Sequence, residues 1–258
     1  FLHLSPDIAC ITSMDADHLD IYGDHNQLKQ SFREFAEKLK PAGSLFVKKG
    51  LPISGLTYGI EDNADYCALN VKVENGTYVF DLKTPETSLR GIRFNKPGRH
   101  NLLNGVAAMS MALKAGNEPG KLAQAMESFK GVQRRFSYAM KQEHFVFIDD
   151  YAHHPTEINA VYDAVKEMHP DKKTMVVFQP HLYSRTRDFG DAFARSLEKF
   201  DHSTLDFSLI WHQVDYDLEP IACLDCHTAD NQFSVQNASC SICHAGTDGE
   251  FILVHVSE

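Results

Sequence analysis

Asp149-Asp150-Tyr151-Ala152-His153-His154-Pro155-Thr156-Glu157 follows the apolar run Phe145-Val146-Phe147-Ile148 and precedes a helix-like pattern over residues 158–168. The order predicts a strand, a polar turn and a helix. Pro155 suits the first helical position, where a missing N–H costs nothing. In open α/β sheets ligands bind at the carboxyl ends of strands. Two acids, a phenol and two imidazoles crowd such an end here. A capped, solvated turn is the alternative, and it accounts poorly for five titratable groups together.

The same grammar recurs outward from this stretch. Lys173 to Phe178 reads as a strand that empties into Gln179-Pro180-His181-Leu182-Tyr183-Ser184-Arg185-Thr186-Arg187-Asp188, with a helix expected over 189–200. Toward the start, residues 7–12 read as a short buried strand. It runs into Ser13-Met14-Asp15-Ala16-Asp17-His18-Leu19-Asp20. Three acids and a histidine there can hold a hard cation, or form a polar helix cap; spacing alone does not choose. Residues 27–39 carry apolar or small side chains near helical spacing. Strands follow over 44–48 and 56–59. This strand–helix alternation, with polar loops after strands, predicts an α/β class with mostly parallel sheets.

Three further stretches interrupt or join that pattern. Residues 66–73 and 77–82 alternate apolar and polar around Glu74-Asn75-Gly76, a hairpin signal. Pro97-Gly98-Arg99-His100-Asn101 opens a helix expected over 102–115, with Asn101 as its N-cap and Asn104 on the same face. The two amides can cap the helix or read a base edge, and locally the cap is favoured. A second helix is expected over 119–129. Gly131-Val132-Gln133-Arg134-Arg135-Phe136 then reads as a hinge into a new domain, and its paired arginines can clamp phosphate or sit solvated, the commoner case.

Composition narrows the classes. The 258 residues are 43% hydrophobic and carry a net charge of -10. That disfavours a nucleic-acid surface. No apolar run is long enough for a membrane span, and the first residues lack the basic region of a signal peptide. All 25 Lys and Arg precede His202, whereas 9 of the 35 acids follow it, so residues 202–258 carry -9 and the rest -1. The two parts read as different materials.

Taken together, the motifs resemble the Mur ligases of peptidoglycan synthesis, most closely the branch that joins L-alanine to UDP-N-acetylmuramate. The matching stretches are Phe1 to Leu4, Ser13 to Gly23, Gly98 to Asn104, Gly131 to Phe136, Asp149 to Glu157 and Phe178 to Asp188, in family order and spacing. The likeness runs from Phe1 to about Asp201. It implies that 1–131 is the rear part of a central ATPase domain and that 132–201 is the front part of a Rossmann-like C-terminal domain. Residues 202–258 are then expected to be an unrelated, irregular, Cys-rich tail. It also implies ATP and Mg2+, a cytoplasmic location, and a carboxylate activated as an acyl phosphate before the amine attacks. By resemblance His18 is the magnesium ligand. Asn101 and Asn104 meet adenine, Arg135 meets phosphate across the domain gap, and Asp150 meets the ribose. His153, His181 and Arg185 line the amino-acid and acyl-phosphate side. Many family members carry Arg where Leu182 stands. The family's Gly-rich phosphate loop with its Lys is not among these residues, so the chain alone is expected to be inactive.

The tail carries a different signature. Cys223-Leu224-Asp225-Cys226-His227 and Cys240-Ser241-Ile242-Cys243-His244 are both C-x-x-C-H, the c-type haem attachment pattern. The thiols would bond haem vinyls and His227 and His244 would be axial ligands, as in a small multihaem electron-transfer cytochrome. The cysteine pairs also stand near zinc-ribbon spacing. A third reading is a segment unrelated to the ligase, because a cytosolic enzyme and an exported cytochrome occupy incompatible compartments.

Overall fold

The computed structural model describes residues 2–14, 25–74, 76–180, 183–205 and 251–257. They form two compact units, Phe1–Lys130 and Gly131–Glu258. Both are mixed α/β.

The first unit holds a sheet in the order β1-β2-β3-β4-β5-β6. Its strands are β1 (Ile8–Ile11), β2 (Ser44–Lys48), β3 (Leu56–Ile60), β4 (Tyr66–Glu74), β5 (Thr77–Lys83) and β6 (Ser88–Phe94). The first three pairings are parallel, and β4/β5 and β5/β6 are antiparallel. The hairpin signal at 74–76 thus becomes the turn of β4/β5, with Glu74 opposite Thr77. Helix α1 (His25–Glu37) supplies the apolar stripe read from the sequence: Phe32, Phe35 and Ala36, followed by Leu39, pack against Ala9, Ile11, Leu45 and Val47.

Helix α2 (Arg99–Lys114) starts three residues before the expected position, and its N-cap is Gly98 with no side-chain cap bond. Asn101 is therefore not the cap. It sits in the first turn and its Nδ2 donates to the Pro97 carbonyl at 2.7 Å. The other end closes as the sequence suggests. Gly116 has φ 88°, its N–H reaches the Leu113 carbonyl, and Asn117 N–H reaches Ala112, the Schellman arrangement that needs a left-handed residue. Helix α3 (Pro119–Ser128) follows. Gly105 of α2 lies where a Cβ would come within 2.7 Å of the Met126 methyl of α3.

The second unit holds a sheet in the order β10-β9-β11-β8-β7. Its strands are β7 (Ser137–Lys141), β8 (Phe145–Asp150), β9 (Lys173–Gln179), β10 (His202–Leu205) and β11 (Phe251–Ser257). All pairings are parallel except β7/β8. Helix α4 (Pro155–Met168) turns Ile158, Val161, Ala164 and Val165 onto Val146, Ile148, Val176 and Phe178. The helix expected over 189–200 is α6 (Gly190–Leu197), shorter at its carboxyl end, and a further helix, α5 (Tyr183–Asp188), precedes it in the stretch read as a polar loop, with Phe189 between the two. Phe193 of α6 stacks on Phe178 at 4.9 Å between ring centroids.

Two stretches of the expected irregular tail are strands. Strand β10 pairs with β9 at the sheet edge. Just before it, Asp201 accepts from the Thr174 N–H at 2.7 Å. Strand β11 lies between β8 and β9, and its Ile252, Val254 and Val256 are buried in the same core as α4. A parallel strand covered this way is expected to be apolar, and Phe251-Ile252-Leu253-Val254 is. The remaining tail residues, 206–250 and 258, lie outside the described residues.

Removing core methylenes from β11 tests this placement. Ile252→Ala is expected to lower the unfolding free energy of the second unit by roughly 2–5 kcal/mol, read as a shift in its urea midpoint. An unchanged midpoint would exclude β11 from the core.

Candidate active site

Side chains alternate along a strand, so β8 delivers its last two acids to opposite faces. Asp150 follows Val146 and Ile148 inward and is only 2% exposed. It is not left bare there. Its Oδ2 accepts from the Phe136 N–H at 2.7 Å and its Oδ1 from the Ala152 N–H at 2.8 Å. Arg134 and Phe136 both have left-handed backbones, φ 56° and 45°. Such conformations persist in non-glycine residues only where the surroundings over-determine them. Here Asp150 fixes Phe136, and the Tyr151 N–H fixes the Arg134 carbonyl at 2.6 Å. Burial pushes the Asp150 carboxyl up to about 6, while the two N–H bonds and the Arg135 charge oppose the rise.

That stitching brings the hinge arginines onto the turn. The Arg134 and Arg135 guanidinium carbons lie 5.1 and 5.4 Å from the centre of the Tyr151 ring, within cation–π range. Arg134 Nε is 3.7 Å from Asp149 Oδ2, and Arg135 Nη1 is 3.5 Å from Glu157 Oε1. Both guanidinium groups remain partly exposed. Their planar forks of donors suit phosphate or carboxylate.

Glu157 lies in the first turn of α4, where a negative charge complements the helix dipole. Its Oε2 accepts from the His153 N–H at 3.0 Å. His153 Nδ1 is 2.9 Å from the Tyr151 carbonyl. A carbonyl only accepts, so Nδ1 carries the hydrogen and Nε2 is left as the acceptor nitrogen. His154 serves as the N-cap, its Nδ1 accepting from the Thr156 N–H at 3.3 Å, with its ring edge-on to Phe189. Pro155 stands at the start of the helix as its residue type suggests.

Among the residues singled out from the sequence, Arg135, Asp150 and His153 come together in this one cluster. Asn101 and Asn104 lie on α2 of the first unit, Asn104 exposed. Arg185 is 7% exposed in α5. His18, His181, Cys223, Cys226, His227, Cys240, Cys243 and His244 lie outside the described residues. Among the described residues, no group of three or more His, Cys, Asp or Glu could hold a metal ion, and no helix is long and apolar enough to cross a membrane. Sequence reading quoted Asp149, Tyr151 and Glu157 without assigning them tasks, and it gave Arg134 no task apart from its neighbour. It missed His255, whose Nδ1 is 3.1 Å from Asp149 Oδ1. No local signal could have joined two residues 106 apart.

Comparison with known proteins shows the family and the fold. Residues 2–112 match the Mur ligase middle domain, and residues 134–205 match the glutamate ligase domain of Mur ligases. The match therefore reaches a few residues past the expected break near Asp201. The UDP-N-acetylmuramate–L-alanine ligase of Christiangramia forsetii is 60% identical over 201 residues, 78% of this chain and 44% of the relative. That of Flavobacterium psychrophilum is 54% identical over 205 residues, 80% of this chain and 46% of the relative. The chain thus spans about half the length of the curated relatives it matches. Among solved structures, the UDP-N-acetylmuramate–alanine ligase of Thermotoga maritima superposes with a TM-score of 0.68 at 19% identity, covering 99% of this chain and 57% of that one. The Thermotoga maritima MurF ligase, solved with ADP, gives 0.71 at 15% identity, covering 98% and 58%. These matches give the cytochrome reading of the tail no support.

The pH dependence of stability isolates Asp150. Its folded pKa, about 6, lies above the unfolded value, so its stabilising contribution is full at low pH. That contribution is lost as pH rises through about 6. Between pH 4 and 7 the second unit is expected to lose roughly 2 kcal/mol relative to Asp150→Asn, which has no such ionisation. Urea midpoints of both proteins across that range check this; parallel profiles would contradict it.

Proposed function

The chain belongs to the Mur ligase family through residues 2–112 and 134–205, and we propose that it is part of an ATP-dependent ligase that joins L-alanine to UDP-N-acetylmuramate in peptidoglycan synthesis. The observation that carries this is the 60% identity over 201 residues to a ligase of that name. In this reading residues 1–131 are the rear of the central ATPase domain and 132–201 the front of the C-terminal domain. The enzyme is cytoplasmic.

The reaction moves charge in two steps. A muramyl carboxylate oxygen bonds to the γ-phosphorus of ATP, and the bond to the ADP oxygen breaks. The alanine nitrogen then bonds to the carbonyl carbon of the acyl phosphate, and phosphate leaves. Negative charge builds up in both, so preorganised cations stabilise both transition states. Arg135, held to Glu157 at 3.5 Å, is assigned to phosphate. His153 is assigned to the amine. An ammonium cannot attack until it loses a proton, and the acceptor Nε2 left by the Nδ1 bond to Tyr151 is the group that takes it. His181 and Arg185 share the acyl-phosphate side and Asn101 and Asn104 the adenine, whereas Asp150, buried with both oxygens on backbone N–H groups, holds the turn in place of the ribose contact expected from the resemblance. Magnesium, with His18 as its ligand, would neutralise phosphate charge.

The test is ATP-dependent formation of UDP-N-acetylmuramoyl-L-alanine. The 258 residues alone are expected to form none. Joined behind the amino-terminal part of the Christiangramia forsetii relative, they are expected to turn over with L-alanine, and His153→Ala is expected to lower kcat/KM by roughly 10²–10⁴-fold. A joined protein that is folded and binds ATP but makes no alanyl product would refute the reading.

A further inference from the structure

We propose that His255, on the last strand, is a positioning residue for this site, acting through Asp149 on Arg134. The proposal rests on the ligase reading above only for what the positioned cation is used for.

Strand β11 is apolar apart from this residue and its terminal Ser257. Ile252, Val254 and Val256 point into the core, so alternation sends His255 to the other face. There it is directly opposite Asp149 in the β8/β11 register and opposite Val177 in the β9/β11 register. The acid is thus the ionisable neighbour supplied by the paired strands. A polar ring in the middle of a central strand is costly unless a partner is met, and Asp149 meets it at 3.1 Å. A carboxylate only accepts, so Nδ1 donates to Oδ1.

The other oxygen of Asp149 faces Arg134 Nε at 3.7 Å, and the Arg134 guanidinium lies 5.1 Å over the Tyr151 ring. The order is His255 to Asp149 to Arg134 to Tyr151. With one oxygen tied to β11, the carboxylate cannot rotate freely, and its second oxygen is aimed at the guanidinium. Arg134 is thereby held on Tyr151 beside Arg135, giving two cations at the carboxyl end of β8. Through this chain of contacts, strand β11 reaches the cluster around Tyr151.

The test uses the whole 258-residue chain, labelled with 15N, and reads the Arg134 Nε–H signal. In the parent that proton is expected to be shifted upfield by the Tyr151 ring and to exchange slowly. His255→Leu and Asp149→Asn are each expected to abolish the upfield shift and speed exchange. His255→Gln, whose amide can still donate to Asp149, is expected to retain both. Combining His255→Leu with Asp149→Asn is expected to add nothing, since both act on one path. An Arg134 signal that stays in place in folded His255→Leu overturns the proposal. If that variant does not fold, Asp149→Asn decides, because it leaves β11 intact; an unmoved signal there overturns it equally. No nucleotide is present, so failure here leaves the ligase reading to the alanyl-product assay.

Discussion

A buried carboxylate with two backbone partners organises the second unit. Asp150 joins the chain just after the domain-opening hinge to the turn after β8, by accepting from Phe136 and Ala152. Without these N–H bonds its burial would be prohibitive; without Asp150, the left-handed Phe136 would lose the acceptor of its N–H, and only the Tyr151 N–H on the Arg134 carbonyl would still join the two segments. Everything functional about the cluster follows from this tie. Arg134 and Arg135 reach Tyr151 because their backbone is fixed there. Glu157 can meet both Arg135 and His153 because the helix begins immediately after the turn.

The interactions that carry the fold differ in range, and this decides what the sequence could show. Strand β8, the turn and α4 are contiguous, so an apolar run, a proline and an amphipathic repeat were enough to place them. The β4/β5 hairpin and the Gly116 stop were equally local. Asn101 was misplaced because this helix begins on a glycine with no side-chain cap bond, and the Asn101 amide turns back to the Pro97 carbonyl instead. The helix over 189–200 is present as α6, whereas α5 went unread because Tyr183 to Asp188 is a polar run with no apolar stripe. The largest gap was β11. Its apolar run is plain, but the abrupt loss of Lys and Arg after residue 201 drew attention to composition. Its position between β8 and β9 depends on pairing with residues about a hundred positions away.

The candidate site was legible as a set of residue types and not as an arrangement. The sequence marked Arg135, Asp150 and His153, and the family likeness gave them tasks. What it could not show is that Asp150 spends both oxygens on backbone, while Asp149, one residue earlier, faces the arginine. Nor could it show that two guanidinium groups lie within 5.4 Å of the centre of the Tyr151 ring. Burial and strand parity separate the two acids: the inward one becomes scaffold and the outward one becomes a contact. The chain spans about half the length of the relatives it matches, and the proposed chemistry assigns this cluster one part of it.

Amide hydrogen exchange at Phe136 and Ala152 tests the central claim most directly. Donors buried against Asp150 should open only with the unit itself, so their exchange free energies should equal that of global unfolding. Exchange at the rate of an exposed loop at either position would contradict the account, because the hinge and the turn would then not be tied together.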